Sequence, residues 1–200
     1  MVRTRFRGNH ALILHRQCRS TDTLIEQLER LGVTAARNET QAQVSYEGVD
    51  VCFFDADVGF DGAFPWPAGN APIPLIALVG YETRGRLEWM MTQRPGAFLV
   101  KPCIASGVLS ALVMAFDQFD ERRRMEREIA ALDKRVRARR IIFDALLKVM
   151  AVFQLDEPTA YRMLRLASQK HGVSIEQICV QLAGNEEKDL SFERLREMLD

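Results

Sequence analysis

The chain has 200 residues, 48% hydrophobic and 27% charged, ordinary values for a globular protein with a real core. Lys plus Arg and Asp plus Glu number 27 each, so a zero net charge excludes a bulk polyelectrolyte that binds nucleic acid by composition alone. The longest apolar runs fall short of the roughly 18–20 residues a membrane span needs, and the start Met1-Val2-Arg3-Thr4-Arg5-Phe6-Arg7 lacks the apolar stretch of a leader, so a cytoplasmic location is expected.

Ala11 to Leu14 predicts a first strand. Thr21 or Asp22 can cap a helix with Leu24, Ile25, Leu28 and Leu31 on one face, which Gly32 ends. Val33 to Ala36 predicts a weak second strand. Val49 to Phe54 predicts a third, too apolar on both faces for a sheet edge. Between Gly59 and Pro74, three Gly and four Pro favour a loop, with any third helix short or absent. Ile73 to Val79 and Ala97 to Val100 predict the fourth and fifth strands, with a helix over Thr83 to Met91 between them. Five apolar strands alternating with helices imply an α/β fold with a parallel sheet covered on both faces.

From Ser106 the chain reads as helical for about 45 residues, without Pro or Gly after Gly107. Leu109, Leu112, Phe116 and Phe119 are expected to face the sheet. Met125, Ile129, Leu132, Val136, Arg139, Phe143, Leu146 and Met150 then follow a 4-3 alternation, which is heptad spacing with one polar member. That stripe is either one side of an intramolecular bundle or the seam of a parallel dimer through Met125, Ile129, Leu132, Val136, Phe143 and Leu146. Residues 122–140 also carry nine basic residues against three acidic ones, a local excess of six.

Asp156 can cap a further helix with Pro158 near its start and Gly172 at its end. Ser174 to Gln177 is a capping box opening a helix with Ile175, Ile178 and Leu182 inward and Gly184 beyond it. Ser191 can cap a last short helix bearing Phe192, Leu195 and Leu199. Cys18, Cys52, Cys103 and Cys179 form no close pair, which fits buried reduced thiols better than a disulfide or metal framework.

The five strand and helix units, with Asp55 after the third strand and Lys101-Pro102 after the fifth, resemble the receiver domain of response regulators, a flavodoxin-like fold, over residues 8–118. The resemblance implies a phosphoacceptor at Asp55 with Lys101 beside it. The acidic pair that would help hold Mg²⁺ is absent, since the first strand runs into His15-Arg16-Gln17, and the hydroxyl position falls at Val79 or Gly80. Asp57 adds one carboxylate but does not restore the chelate. The expectation is a pseudo-receiver in which Asp55 and Lys101 remain as a buried ion pair, with no catalytic residue, no metal and no cofactor.

Ala145-Leu146, Val149-Met150, Ala160-Tyr161, Leu164-Arg165 and Ala167 are similar to the pattern of the ANTAR module, a three-helix RNA-binding unit of bacterial transcription antiterminators. Leu146 stands where the family pattern has Lys. Together the two resemblances point to the AmiR and NasT group of antiterminators. They imply a pseudo-receiver over 8–118, a coiled-coil helix over 119–140, ANTAR-like helices over 141–184 and a tail over 185–200.

The resemblance further implies a non-enzymatic regulator that binds leader-RNA hairpins as a homodimer. A ligand-binding sensor protein would control it in place of phosphorylation. Tyr161 and Arg165, spaced i, i+4, would offer stacking and hydrogen bonding to loop bases, with Arg162, Lys170, Arg139 and Arg140 on phosphates. From the residues alone, Tyr161 can instead pack in the three-helix core and Arg165 be merely solvated. Two other readings stand beside RNA binding: a pseudo-receiver adaptor acting through protein contacts, and a phosphorylated DNA-binding regulator. The second is disfavoured because the helix from Ser174 to Leu182 has no Lys or Arg.

Overall fold

The computed structural model describes residues 6–39, 44–59 and 62–183. The expected Ser191 helix and the 185–200 tail lie outside these residues, as does Gly184. The chain divides into two compact units, residues 1–124 and 125–200.

In the first unit, strands β1 (His10–Leu14), β2 (Thr34–Asn38), β3 (Val51–Asp55), β4 (Leu75–Val79) and β5 (Ala97–Val100) form one parallel sheet in the order β2-β1-β3-β4-β5. Every residue of β3 and β4 is buried, as the continuous apolar runs require of strands covered on both faces. The period of two sorts their side chains into separate cores. Ile13, Phe53, Ile76 and Leu78 pack under helix α1 (Arg19–Arg30) and the start of helix α3 (Val108–Phe153). Leu12, Leu14, Cys52, Phe54, Ala77 and Val79 pack on the opposite face with Met90 of helix α2 (Arg84–Thr92). Full burial of residues such as Phe53 and Phe54 contributes roughly 1.5–3 kcal/mol each.

α1 starts earlier than Thr21 or Asp22 would have it, with Cys18 at the N-cap. Thr21 acts from inside the first turn, its hydroxyl accepting from the Cys18 amide at 3.1 Å and donating to the Cys18 carbonyl at 2.8 Å. Between β3 and β4 a single 3-10 turn, Ala56–Val58, precedes the Gly- and Pro-rich stretch. Aromatic side chains fill the face there: Phe64 packs edge-on to Phe54 at 5.4 Å and stacks on Trp66 at 5.1 Å. Arg122 holds the stretch to α3 by donating to the carbonyls of Gly69 at 3.5 Å and Ala71 at 3.3 Å.

α3 is one helix of 46 residues. Its sheet-facing set is Val108, Ala111, Leu112, Ala115 and Phe116, an i, i+3, i+4, i+7, i+8 stripe. Leu109, expected in that stripe, lies one position off it and is 43% exposed. Phe119 is half-buried under the guanidinium groups of Arg122 and Arg123.

In the second unit the end of α3 packs with helix α4 (Glu157–His171) and helix α5 (Ile175–Ala183). Asp156 caps α4 by accepting from the Thr159 amide at 3.2 Å, and Gly172 closes it with φ 64°, a conformation that favours glycine. Ser174 and Gln177 make the reciprocal bonds of a capping box, at 3.3 and 3.0 Å.

Ala145, Leu146, Val149, Ala160, Met163, Leu164, Ala167, Ile178, Cys179 and Leu182 form the core of this unit. Leu146 is only 8% exposed, so it does not belong to an outward seam. Only the end of the heptad stripe, Leu146 and Met150, is covered from inside the chain, where α4 and α5 pack on it. Met125, Ile129, Leu132, Val136 and Phe143 remain 51–64% exposed. Among the described residues, no helix is long and apolar enough to cross a membrane.

Candidate functional site

At the carboxyl ends of β1, β3, β4 and β5 lies a cleft of about 650 Å³ whose lining includes His15, Asp55, Asp57, Gly80 and Lys101. The parallel sheet places it there: β3 ends on Asp55, β1 runs into His15, β4 into Gly80, and β5 into Lys101 with a cis Lys101-Pro102 peptide. Asp55 and Lys101 meet at 2.7 Å, and both side chains are largely buried. Two residues that sequence reasoning had not made partners complete the group. The 3-10 turn brings Asp57 back so that its carboxylate accepts from Lys101 Nζ at 2.7 Å. His15 Nε2 lies 3.0 Å from Asp55 Oδ2 and 3.2 Å from Lys101 Nζ. The Asp55-x-Asp57 spacing was the available signal, but it meets Lys101 only through a turn whose geometry the sequence did not reveal.

The charges support one another. Burial alone would raise the Asp55 carboxyl, but hydrogen bonds from His15, Lys101 and the Asp57 amide hold it well below the ordinary carboxylate range. Asp57 is lowered likewise, against burial, by Lys101 and the amides of Tyr81 and Gly80. The bond to Asp55 raises His15, opposed by burial and helped by the Arg16 carbonyl. Lys101 is raised because its two carboxylates outweigh burial.

Mg²⁺ chemistry does not fit this arrangement. A divalent ion needs convergent oxygen ligands. Here the His15 imidazole stands against Asp55 Oδ2 and Lys101 Nζ against Oδ1, so both carboxylate oxygens already face nitrogen groups, and Arg16 follows His15. Among the described residues no group of three His, Cys, Asp or Glu side chains is placed to hold a metal. The position after β4 has no hydroxyl either. It is Gly80, and a Cβ there would overlap the Asp57 carboxylate. The Cys18 thiol, 3.9 Å from His15 Nδ1, edges the same cleft, whereas Cys52, Cys103 and Cys179 are buried.

The second unit presents a different surface. Ala160, Met163, Leu164 and Ala167 turn one face of α4 into the core, and Tyr161 and Arg165 stand on the solvent side. Tyr161 is 46% exposed, which overturns its placement in the three-helix core. At about 100° per residue, Tyr161, Arg165 and Arg162 fall within roughly a 100° arc. Lys170 is exposed, but about 180° round the helix from Tyr161 by the same count, so one flat ligand surface cannot touch both. Arg139 and Arg140 are exposed on α3, and Arg140 is only loosely paired with Asp144, at 3.9 Å.

The family model described as AmiR, N-terminal matches residues 9–116, and the ANTAR domain model matches residues 130–182. A curated relative, the transcriptional regulatory protein PdtaR of Mycobacterium tuberculosis, is 24% identical over 105 residues, 52% of this chain and 51% of the relative. The chain therefore spans about half the length of the curated relatives it matches. Among solved structures, the response regulator StyR is 14% identical with a TM-score of 0.50, over 88% of this chain and 98% of that one, which is a likeness of fold. The Rec1 portion of ShkA is 18% identical with a TM-score of 0.42, over 56% of this chain and 97% of that one.

Proposed function

This chain belongs to the AmiR N-terminal family and carries an ANTAR domain behind it, and from that premise we propose that it is an RNA-binding transcription antiterminator of a bacterial operon. It binds leader-RNA hairpins as a dimer. The carrying observation is the exposed Tyr161 and Arg165 pair on α4, backed by a packed core that fixes the helix. An aromatic ring and a guanidinium one turn apart suit unpaired loop bases, which stack on such planes and bond to their edges. Arg162, Arg139 and Arg140 supply phosphate contacts, and Lys170 a contact on another flank.

Dimerisation uses the exposed stripe from Met125 to Phe143. In its register Ile129 and Val136 are a positions and Leu132 a d position, the combination that favours two parallel strands. The corresponding organisation is a pseudo-receiver over 8–118, a coiled-coil segment over 119–140 and RNA-binding helices over 141–184.

Control comes from a ligand-binding sensor protein, not from phosphorylation. The support is electrostatic: Asp55 is already neutralised by His15 and Lys101, and the metal that phosphoryl transfer depends on has no ligand set here.

A second reading, a pseudo-receiver adaptor without RNA binding, is favoured by Leu146. The family pattern has Lys there, and this chain buries an apolar side chain. Gel shifts over a salt series with a two-hairpin leader RNA separate the two. Loop-sequence-dependent binding that weakens in Tyr161→Ala and Arg165→Ala supports antitermination, whereas no binding to hairpins at low salt leaves the adaptor.

A further inference from the structure

Pairing through the exposed stripe brings charges together as well as apolar side chains. With Ile129 and Val136 at a positions, the register puts Glu128 and Arg135 at g, Asp133 and Arg140 at e, and Arg139 at d, all of them exposed. In a parallel pair each g side chain meets the e side chain of the following heptad on the other helix. Glu128 then meets Asp133 of the second copy, and Arg135 meets Arg140 of the second copy. Both meetings occur twice, and both set like charges together. Arg139 lies on the seam itself, beside its own copy.

The arginine end is the denser of the two. Residues 135–140 span about 7.5 Å of helix, and two copies crowd three guanidinium groups each into that length. The separation is within the Debye length of about 8 Å at physiological ionic strength, so salt leaves much of the repulsion in place. Relief from the same chain is slight. Among the described residues, Arg135 and Arg139 have no carboxylate within salt-bridge distance, and Arg140 has only Asp144, at 3.9 Å, with the arginine side chain 86% exposed.

A polyanion laid across that end replaces repulsion between the copies with attraction to both. A phosphodiester strand suits it, because it repeats its charge along its length and its oxygens match the guanidinium fork. We infer that Arg135, Arg139 and Arg140 of two paired copies form one composite site for an unpaired phosphodiester strand, the stretch joining two RNA hairpins, and that filling this site tightens the pairing. Neither copy holds the site alone. By linkage, pairing and strand binding strengthen each other by the same factor. This rests on the parallel dimer proposed above and makes its formation follow the RNA.

The test is sedimentation of the full chain with and without a short oligouridylate, which has no hairpin for Tyr161 and Arg165 to read. Saturating oligouridylate is expected to tighten pairing at least about fivefold, the low end of ordinary coupling, with one strand bound per two chains. Arg135→Glu turns two like-charged meetings into opposite-charged ones. It should tighten pairing by roughly 4- to 30-fold without RNA and lose the gain from oligouridylate. The position is exposed within a long helix and Glu is a good helix former, so the variant keeps its fold.

Salt gives a reading that needs no variant. Pairing of the free chain should strengthen as sodium chloride screens the like charges, whereas the contribution of oligouridylate should fade. Free pairing that weakens with salt would overturn the inference, as would an Arg135→Glu chain that pairs no better than the unsubstituted one. A chain that stays monomeric at every salt concentration, with or without RNA, sinks the dimer reading and this inference with it. A dimer indifferent to both oligouridylate and Arg135→Glu sinks this inference alone.

Discussion

His15 and Asp55 stand 3.0 Å apart at the ends of neighbouring strands, Nε2 to Oδ2, in a cleft where both are buried. The pair puts an imidazole-to-carboxylate contact where a metal-to-carboxylate one would stand, and this gives it a pH signature. The bond to Asp55 raises His15 above its ordinary 6.5. Its stabilisation is therefore complete below pH 6.5 and is lost as the pH climbs through the raised value. Asp55, depressed, behaves oppositely: its contribution is present above the ordinary carboxylate range and lost only as the pH falls through its lowered folded value.

Thermal melts should accordingly show stability falling as the pH rises above 6.5 in the unsubstituted chain and much less in His15→Gln. Lys101 faces His15 at 3.2 Å, and the Cys18 thiol, itself lowered, titrates with the opposite sign, so Cys18→Ser belongs in the series. A profile that His15→Gln leaves unchanged would remove the imidazolium from the account.

Leu146 and Leu132 share a heptad stripe but not a fate. Leu146 is 8% exposed within the core of the second unit, and Leu132 is 58% exposed. Leu146→Ala should cost about 2–4 kcal/mol of that unit's stability through lost burial and a cavity. Leu132→Ala should change monomer stability by no more than about 0.5 kcal/mol but weaken self-association. Chemical denaturation and sedimentation on the two variants distinguish these effects. A reversal of the two outcomes would mean that the stripe is partitioned differently.

The same contrast shows what was legible in the sequence. Period-four and period-three spacing shows that residues from Met125 to Met150 share a face, and it is silent on what covers that face. Deciding this needs the return of α4 and α5, a tertiary fact. β3 and β4 were readable because an unbroken apolar run between turn residues has few other uses, and the capping box of α5 because Ser174 and Gln177 are local. The start of α1 was not, because cysteine is an uncommon cap and Thr21 serves from within the helix. Asp55 and Lys101 could be matched to a pattern, but the Asp57 contacts join residues 23 and 24 positions apart through a turn. Such a partnership is written in the fold and not in spacing.

The seam makes its own prediction. Ile129→Asp with Val136→Asp puts charges at two a positions of the exposed stripe and should leave a folded monomer, since neither side chain is buried within its own chain. Light scattering would read the change of mass. If two ANTAR faces engage two hairpins together, affinity for a two-hairpin RNA should drop by about 10²-fold or more while that for a single hairpin holds, because only avidity is lost. An unchanged dimer would move the interface elsewhere.

The contacts on RNA should separate by kind. Tyr161, exposed on α4, is placed to stack, and removing one stacked aromatic costs roughly 1–3 kcal/mol, or about 5- to 150-fold in affinity. Tyr161→Ala should therefore bind hairpins that much more weakly at any salt concentration, with the loss greatest for the preferred loop sequence. Arg139 and Arg140 act through charge. Their double replacement by Ala should lower affinity uniformly across sequences and flatten the slope of log affinity against log salt by about 1.4, two contacts at about 0.7 each for unpaired strands. Anisotropy titrations at several salt concentrations measure both quantities on the same RNA. A Tyr161→Ala chain with unchanged affinity and unchanged loop preference would take the aromatic out of the interface, and the salt slope of the Arg139 and Arg140 variant would then show whether α3 alone holds the RNA.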